Sequence, residues 1–547
     1  MISNANLLRD FRQRLKNLKF FHHVPHTALF MLGLTLGACQ ESEPLFLPQY
    51  TNIDLLIENA MVLDGLGGPA SQADVVVVED KIVYVGSTAF STQSRAGRIH
   101  QIIDASGLTL SPGFIDLHSH GDPLDTPEFE NFLAMGVTTI SLGQDGSSPD
   151  IAPLSDWLSE VSIRGIGPNL VMFVGHGTLR DQSGIGRTNP PDAEDFANML
   201  SILDSTLKYS FGLSTGLEYN PGLNADVDEL MQLAHVIGQN DRMIMSHMRN
   251  EDDDQLEASI AELVAQGKEA RVHIAHLKSV FGTGAERADE IIQLIINARS
   301  DGIELTADSY PYNASYTGIS IVFPVWAKTQ EQFDIAKRER REELAEYLRK
   351  RVHRRNGPQA TLLGTGEFTG KTLADIAIEL EMPFEDVLID IIGPQGASGA
   401  YFVMNEQLQA RILQSPIVGI SSDGRIDGFH PRGHGTFAKI IEKYVVQQKM
   451  LSLSEAVRKM TSLPAQILHI TDRGVIREGM FADIVLFDPA KVHATATYPN
   501  PLQLAQGFHT VIINGKIART ENRMSPELHG RVLQPRAEPS ANKKLQP

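Results

Sequence analysis

The feature that most constrains the fold of this chain is the alternation of short apolar runs with amphipathic stretches between residues 111 and 474. Stretches with helical periodicity, such as 196–207, 227–237 and 288–298, separate eight runs that favour strands. The strands are predicted at 114–116, 137–142, 170–174, 211–213, 243–245, 272–274, 303–307 and 417–420. This alternation predicts an α/β chain that folds as a (β/α)₈ barrel, in which functional side chains lie at the carboxyl ends of the strands.

The two ends of the chain carry β-rich runs that flank the predicted barrel. Residues 54–62 and 73–85 precede it, and residues 482–487 and 511–517 follow it. The last of these runs contains Asn514-Gly515, a dipeptide typical of a type I′ hairpin turn. We therefore predict one small β-sandwich built from residues 52–110 and 475–520 together.

Two further segments do not belong to the regular alternation. Residues from about 317 to 400 exceed what one barrel connection needs, so they predict an insertion. Within it, the charged run 337–343 is interpreted as the solvated face of a helix. Residues 521–547 are polar and contain several prolines, and this composition predicts a frayed tail from about residue 524.

The first 39 residues predict an export signal. Five basic residues precede the apolar run 28–36, which is shorter than the roughly 20 residues that span a bilayer. The run ends in Leu36-Gly37-Ala38-Cys39, which resembles the lipoprotein box of bacteria. We expect Cys39 to be lipidated, residues 40–51 to form a tether, and the protein to be anchored to the cell envelope on its periplasmic or outer-membrane face. A plain signal peptide or a buried N-terminal helix is the alternative.

Composition excludes several classes of protein. The 547 residues include 48 Lys and Arg against 67 Asp and Glu, and the net charge of -19 would repel a nucleic-acid backbone. The chain contains a single cysteine, so an intramolecular disulfide and a cysteine-rich zinc cluster are both ruled out. Any bound metal must be held by histidines and carboxylates.

Metal-binding side chains follow the predicted strands. In extended backbone, His118 and His120 point the same way, so both imidazoles can reach one ion. Four more candidates lie at the ends of other strands, and the parallel geometry brings strand ends to one rim of a barrel. These four are Asp145, His247, His276 and Asp423. His176, which follows the third strand, is a pocket candidate only, whereas His235 and His273 are interpreted as structural.

Several stretches, taken in order, resemble a known family. Residues 111–120, Ser-Pro-Gly-Phe-Ile-Asp-Leu-His-Ser-His, resemble the first-strand signature of the amidohydrolase superfamily. Further stretches are similar to its D-aminoacylase (N-acyl-D-amino-acid deacylase) branch: 175–180, 212–219, 246–249, 276–278, 310–312 and 422–424. The resemblance covers about residues 52–518, and it implies a metal-dependent TIM barrel with a small β-sandwich made from both chain ends.

The resemblance also implies how the metal ligands divide. His118 and His120 would hold one position and His247 and His276 the other, with Asp423 as the catalytic carboxylate that also touches the metal. This branch usually carries a cysteine in a Gly-Asn-Cys-Gly setting, where the present chain reads Gly-Gln-Asp-Gly over residues 143–146. Asp145 would replace the thiolate as a ligand or bridge, so the resemblance implies one or two Zn²⁺ ions.

The function implied is hydrolysis of a linear amide. The expected substrate is a small molecule, an N-acyl-D-amino acid, which would be cleaved to a carboxylate and a D-amino acid. Its free carboxylate would be bound by Lys278, Arg432, Tyr219 and Tyr310. Two alternatives stay open: a cyclic amidase of the dihydropyrimidinase or hydantoinase type or a D-dipeptidase on the same scaffold, and an inactive lipid-anchored binding protein, for which Asp145 is the only indication.

Overall fold

A computed structural model describes residues 52–87 and 98–536. The predicted signal segment with Cys39 and the whole predicted tether, residues 40–51, lie outside these residues. Among the helices described, none is both long enough and apolar enough to cross a membrane.

The central domain is a closed barrel of parallel strands, here numbered barrel strands one to eight. Each strand pairs in parallel with the next, and an isolated bridge between Ser119 and Gly424 joins the first strand to the last. Strand three is interrupted at Phe173. The bounds of the strands are Phe114–Asp116, Val137–Leu142, Asn169–Met172 with Val174–Gly175, Gly212–Gly216, Met243–His247, Arg271–Ile274, Leu305–Ser309 and Val418–Ile420.

Amphipathic helices surround these strands, as the periodicity predicted. The helix Val227–Gln239 illustrates why they form: the Asp226 side chain accepts a hydrogen bond from Glu229 N, and the apolar face bearing Leu233 and Ile237 is buried. The main helices of the barrel are Leu154–Arg164, His176–Gln182, Ala193–Thr206, Val227–Gln239, Leu256–Gln266, Gly284–Ser300, Glu406–Gln414, Arg432–Lys439, Leu453–Met460 and Ser462–Ile467.

Both ends of the described chain form one nine-stranded sheet. The link between them is the strand Thr109–Pro112, which pairs antiparallel with Ile484–Phe487 and parallel with Ile53–Val62. Asn514 and Gly515 both have positive φ, at 49° and 80°, as a type I′ turn requires. The remaining strands are Ser71–Val78, Lys81–Gly86, Ile99–Asp104, Phe508–Ile513, Lys516–Thr520 and Arg523–Met524.

Strand alternation gives this sheet two buried faces. Ile484 and Leu486 point into the core of the small domain, where they meet residues of the N-terminal strands such as Val75. Phe487 points the other way, and its ring packs against Phe114 at the start of the barrel, with centroids 6.2 Å apart. The sheet is thereby fixed against the barrel.

The insertion lies between barrel strands seven and eight. Its three-stranded antiparallel sheet consists of Ser315–Gly318, Thr361–Leu363 and Ser398–Tyr401. Its helices include Gln330–Glu339, Arg341–Arg354 and Leu373–Glu379. This unit stands over the carboxyl ends of the strands, where it supplies part of the site described below.

The prediction of a frayed tail from residue 524 is wrong for the residues that the structure describes. Val532 forms a parallel bridge with Leu170, and the N–H of Leu533 donates to the Leu170 carbonyl at 2.8 Å. Gly530 N donates in the same way to Ile166 O. Main-chain hydrogen bonds do not depend on side-chain polarity, so composition alone could not have predicted this docking.

Candidate metal centre

The six predicted ligand side chains meet at the carboxyl-terminal rim of the barrel. They form two groups, and in each group the potential ligand atoms all lie within 4.8 Å of one another. The first group is His118, His120, Asp145 and Asp423, and the second is Asp145, His247 and His276. Asp145 is common to both.

The first group is built on barrel strand one. The Nε2 atoms of His118 and His120 lie 3.3 Å apart, as expected for residues i and i+2 of an extended segment. Asp423, which follows strand eight, places Oδ1 3.2 Å from His120 Nε2. Asp145 Oδ1 lies 3.3 Å from His118 Nε2. Two imidazoles and two carboxylates therefore face one small volume.

The second group joins strands five and six. His247 Nδ1 lies 3.0 Å from His276 Nε2. Asp145 Oδ1 is 3.2 Å from His276 Nε2 and 3.8 Å from His247 Nδ1. Asp145 therefore occupies the position of a bridging anion between the two histidine pairs.

This arrangement of donors fits a divalent metal. Within each histidine pair, two imidazole nitrogens face each other at hydrogen-bonding distance. Their lone pairs repel each other unless a proton or a cation lies between them. Burial would lower the pKa of His276 and of His120, but Asp145 and Asp423 outweigh it and raise the two pKa values to about 10 and about 9. The site thus strongly attracts positive charge, and imidazole with carboxylate is a ligand set that suits zinc.

Three of the ligands have unusual backbone conformations. Asp145, His276 and Asp423 have φ values of 54°, 38° and 49°, in the left-handed region. Asp tolerates this region better than most residues, whereas His276 pays more for it. Strain of this kind is held by the surrounding structure and is concentrated at functional sites.

Buried carboxylates hold the ligand loops in place. Asp116 accepts hydrogen bonds from Ser422 N at 2.9 Å and from Ser422 Oγ at 2.5 Å, so strand one is tied to the loop that carries Asp423. Asp308 accepts from His276 N at 2.7 Å and lies 2.8 Å from His273 Nε2. The ring of His273 is therefore structural, in agreement with the sequence interpretation.

Two acidic residues that the sequence analysis missed complete the surroundings of the second group. Glu218 Oε2 lies 3.3 Å from His247 Nε2, the nitrogen that faces away from Asp145. Glu251 Oε1 lies 3.2 Å from His276 Nδ1. Carboxylates at the outer nitrogen of a ligating imidazole fix its orientation and raise its basicity. Glu218 follows strand four directly, so its position at a strand end was the one available signal.

The four predicted substrate-binding residues have different surroundings. Arg432 Nη1 lies 2.6 Å from Asp423 Oδ2. Lys278 Nζ lies 2.7 Å from both Glu251 Oε1 and His276 Nδ1. Tyr219 lines the cleft, and its ring centroid is 4.5 Å from that of His247.

Tyr310 is fully buried beneath this group and does not line the two cavities described here. Its ring lies 5.0 Å from the guanidinium of Arg432, and its hydroxyl donates to Met404 Sδ at 3.8 Å. In this structure it supports Arg432 from below.

His176 and Arg180 belong to the barrel scaffold. The Arg180 side chain, which has no solvent exposure, donates to Glu229 Oε2 at 2.5 Å, and His176 Nε2 lies 2.7 Å from Glu229 Oε1. This triad ties the helix His176–Gln182 to the helix Val227–Gln239. His176 contributes to structure here and not to the group of metal ligands.

An open cleft of about 660 Å³ leads to the ligands. Barrel loops form one wall with His120, Asp145 and Tyr219, and the insertion forms another with Tyr316 and Thr317. A smaller cavity of about 30 Å³ lies deeper and shares Tyr219, Tyr316 and Thr317 with the cleft. The volume of the cleft is within the usual range for a small-molecule site.

The barrel has one histidine pair just after strand one, a second pair formed by the last residue of strand five and a residue just after strand six, and a carboxylate after strand eight. A parallel barrel with this arrangement defines a metal-dependent amidohydrolase. Comparison with known proteins agrees: residues 366–518 match the model of the amidohydrolase family. An N-acyl-D-aspartate deacylase of Alcaligenes xylosoxydans xylosoxydans is 32% identical over 520 residues, which cover 88% of this chain and 95% of that protein. A D-aminoacylase of the same organism is 28% identical, with 88% and 97% covered. The chain therefore belongs to the N-acyl-D-amino-acid deacylase family of amidohydrolases.

Solved structures give the same result. The N-acyl-D-glutamate deacylase of Bordetella bronchiseptica, solved with zinc and a phosphonate inhibitor, superposes with a TM-score of 0.76 at 27% identity and covers 88% of this chain and 100% of its own. A dihydropyrimidinase of Brevibacillus agri superposes with a TM-score of 0.53 at 17% identity, covering 88% and 99%. This second similarity shows the barrel and sandwich fold alone.

Proposed function

We propose that this protein is a zinc-dependent deacylase that cleaves N-acyl-D-amino acids to a carboxylate and a free D-amino acid. The observation that carries the proposal is the convergence of four imidazoles and two carboxylates at the end of a cleft, with the cation of Arg432 beside Asp423. The D configuration is supported by the relatives, which are named for deacylation of D-amino acids.

His118, His120, Asp145, His247, His276 and Asp423 would hold one or two zinc ions. When bound there, zinc supplies a Lewis acid for the amide carbonyl and lowers the pKa of a water molecule toward 7. Asp145 contributes the negative charge shared by both positions. Glu218 and Glu251 keep the rings of His247 and His276 oriented.

Asp423 carries the proton in this proposal. Its Oδ1 faces His120 and its Oδ2 is held by Arg432, so the carboxylate has a fixed orientation toward the ligand group. Burial would raise the pKa of Asp423, but Arg432, His276 and His120 outweigh it and hold the pKa well below its usual range. Asp423 takes a proton from the attacking water and delivers it to the leaving nitrogen.

Arg432 links substrate binding to this proton transfer. The carboxylate of an N-acyl-amino acid that binds the guanidinium competes with Asp423 for its charge. The attraction that depresses the pKa of Asp423 then weakens, and the pKa of Asp423 rises toward values at which a carboxylate is an effective base. A substrate without a free carboxylate would lack this effect.

The test is turnover of N-acetyl-D- and N-acetyl-L-amino acids by the zinc-loaded full chain. We expect hydrolysis of D substrates and a fall in kcat of about 10²–10⁴-fold in Asp423→Asn. Asp289→Asn, which removes an exposed carboxylate paired with Arg411 on the outer helices, is the matched control and should keep full activity. Full activity in Asp423→Asn would refute the mechanism, and hydrolysis of hydantoin or dihydrouracil without action on acyl-D-amino acids would refute the substrate class.

We also propose that the protein is held at the bacterial cell envelope by a lipid on Cys39. The basic segment, the short apolar run and the sole cysteine at its end support this. Gln40 and Glu41 do not provide an aspartate of the kind that retains lipoproteins at the inner membrane, which favours the outer membrane. Labelling with a radioactive fatty acid should mark the wild type and not Cys39→Ser, and equal labelling would contradict the proposal.

A further inference from the structure

A further cleft, of about 530 Å³, lies at the end of the barrel opposite the metal ligands and is here called the basal cleft. Arg242 directly precedes barrel strand five, Arg271 begins strand six and Glu304 directly precedes strand seven, so the cleft lies at the amino-terminal ends of these strands. Barrel enzymes carry their chemistry at the other rim. The side chains of the basal cleft therefore take no part in the proposed hydrolysis.

The basal cleft is positively charged, although the chain as a whole is acidic. Four arginines and two acids line it: Arg242, Arg271, Arg299, Arg536, Asp241 and Glu304. One of the acids, Glu304, places Oε1 3.3 Å from His469 Nε2. With His469 counted as neutral, four cations against two carboxylates leave two positive charges in excess, whereas the net charge of the chain is -19.

Two of these guanidinium groups lie side by side. Arg242 Nη1 and Arg271 Nη2 donate to the same acceptor, the carbonyl oxygen of Asp241, at 3.4 and 3.2 Å. Their other hydrogen bonds also go to main-chain carbonyls, those of Leu207, Arg536 and Ile467. Across residues 52–87 and 98–536, no carboxylate oxygen lies within 4 Å of either guanidinium. A carbonyl carries only a partial charge, so these hydrogen bonds do not neutralise the two cations.

Capping of helix ends accounts for part of this arrangement. Leu207 is the C-cap of the helix Ala193–Thr206, and Ile467 is the last residue of the helix Ser462–Ile467. Cations near such carbonyls are favourable because they oppose the helix dipole. The benefit is small, and it leaves the repulsion between Arg242 and Arg271 in place. In line with this repulsion, burial and the neighbouring Arg242 together lower the pKa of Arg271.

A phosphate monoester fits both the charge and the lining of the basal cleft. Its second pKa is about 6, so near pH 7 it carries close to two negative charges, which match the excess of the lining. Guanidinium groups bind phosphate oxygens through paired hydrogen bonds. Beside the arginines, Phe211, Leu463 and Ile467 form an apolar wall that can receive the organic part of the ester. The volume is within the usual range for a small-molecule site.

We propose that the basal cleft binds an organic phosphate monoester, with Arg242 and Arg271 on the phosphate group and the apolar wall against the organic part. A soluble phosphate ester and the headgroup of a phosphatidic acid share this chemistry. The proposal does not depend on the deacylase function, because the residues of the basal cleft do not belong to the catalytic site.

The test is calorimetric titration of the zinc-loaded full chain with phenyl phosphate. Phosphate can also bind zinc, so the quantity of interest is the difference between the wild type and Arg271→Met. We expect the wild type to show one binding event that Arg271→Met weakens by about 10–100-fold, the usual loss for a hydrogen-bonding group that carries charge. Arg271→Lys keeps the charge without the paired geometry and should bind with intermediate affinity.

Arg411→Met is the matched control, because Arg411 is an exposed arginine of an outer helix and pairs with Asp289 at 2.6 Å. This variant should bind phenyl phosphate as the wild type does. Arg242→Met should weaken the same binding event as Arg271→Met, so it keeps the proposal testable if Arg271→Met does not fold. Thermal melting without ligand checks folding. A role in helix capping alone predicts lower melting temperatures with unchanged phosphate binding, and that result would overturn the proposal.

A sedimentation assay identifies the source of the ligand. Vesicles of phosphatidylcholine that contain phosphatidic acid are compared with vesicles of phosphatidylcholine alone. Extra cosedimentation with phosphatidic acid that Arg271→Met loses supports a lipid headgroup, and binding of phenyl phosphate without this extra cosedimentation supports a soluble ester. If neither probe distinguishes the wild type from Arg271→Met and Arg242→Met, the basal cleft is not a phosphate site.

Discussion

Replacing Asp145 with asparagine should remove most of the affinity for metal at the second position. The substitution keeps the size of the side chain and suits the backbone, because asparagine tolerates the φ of 54° at this position. Among residues 52–87 and 98–536, Asp145 is the one acid that lies within 4 Å of ring nitrogens from both histidine pairs, and the substitution removes its negative charge. The change is therefore electrostatic.

The raised pKa of His276 gives the magnitude of the expected loss of zinc affinity. Burial and Lys278 lower this pKa, yet Asp423 and Asp145 raise it to about 10 from an ordinary value of 6.5. The rise corresponds to about 5 kcal/mol for one positive charge at the ring. If Asp145 supplies roughly half of this energy, a divalent ion at the same place loses on the order of 4–5 kcal/mol of binding free energy when Asp145 is replaced. The amide oxygen of the new asparagine is a neutral ligand that regains part of this loss. We expect zinc affinity to fall by about 10²–10³-fold.

The assay is competition for zinc between the protein and a chromophoric chelator, together with elemental analysis after dialysis. Asp145→Cys is the informative comparison, because a thiolate restores an anionic ligand at the same place. Asp156→Asn removes an exposed carboxylate from a barrel helix and should change nothing. The reasoning would be refuted if Asp145→Asn bound zinc as tightly as the wild type, or if Asp145→Cys lost zinc as Asp145→Asn does.

Three further predictions concern the scaffold and its charges. Glu229→Gln leaves the buried Arg180 uncompensated and should lower the free energy of unfolding by about 3–5 kcal/mol, seen as a lower urea midpoint; a loss below about 1 kcal/mol would contradict this. Burial lowers the pKa of Lys459 to about 7, so above pH 7 the unfolded chain holds a proton that the folded protein has lost. Stability should therefore rise by about 4 kcal/mol between pH 7 and 10, and Lys459→Met should abolish that rise in thermal melts, whereas equal slopes would contradict the assignment. Zinc uptake by the metal-free protein at pH 7 should release about two protons, because the pKa values of His120 and His276 are raised to about 9 and about 10. Calorimetry in buffers of different ionisation enthalpy measures this, and no release would count against zinc at these rings.

The barrel and the convergence of its ligands could be predicted because both follow from local patterns. Parallel strands bring their carboxyl ends to one rim, so His118, Asp145 and Asp423 could be expected to meet although Asp423 lies more than 270 residues after the other two in the chain. In the structure, Asp145 Oδ1 and Asp423 Oδ1 lie 3.3 Å and 3.8 Å from His118 Nε2. Which of them holds which ion stays a prediction.

The surroundings of the ligands could not be predicted in the same way. Glu251 lies in a loop after strand five, and its approach to His276 depends on the path of that loop. Arg355 follows a charged helix whose face is largely exposed, and its burial depends on Tyr401, a residue of a strand that follows much later in the insertion. Patterns of hydrophobicity do not encode such contacts between loops and insertions.

In the composite sheet, the N-terminal strands need strands from the last part of the chain to complete their pairing and to cover their core. In the part of the chain that the structure describes, the antiparallel neighbour of the strand Thr109–Pro112 is Ile484–Phe487, and Phe508–Ile513 pairs with the other edge of that neighbour. A ribosome that stops before residue 484 releases a polypeptide with an open β edge and with Leu110 and Val75 uncovered. Proteases and chaperones recognise such surfaces, so the architecture gives the cell a means of distinguishing finished copies from broken ones.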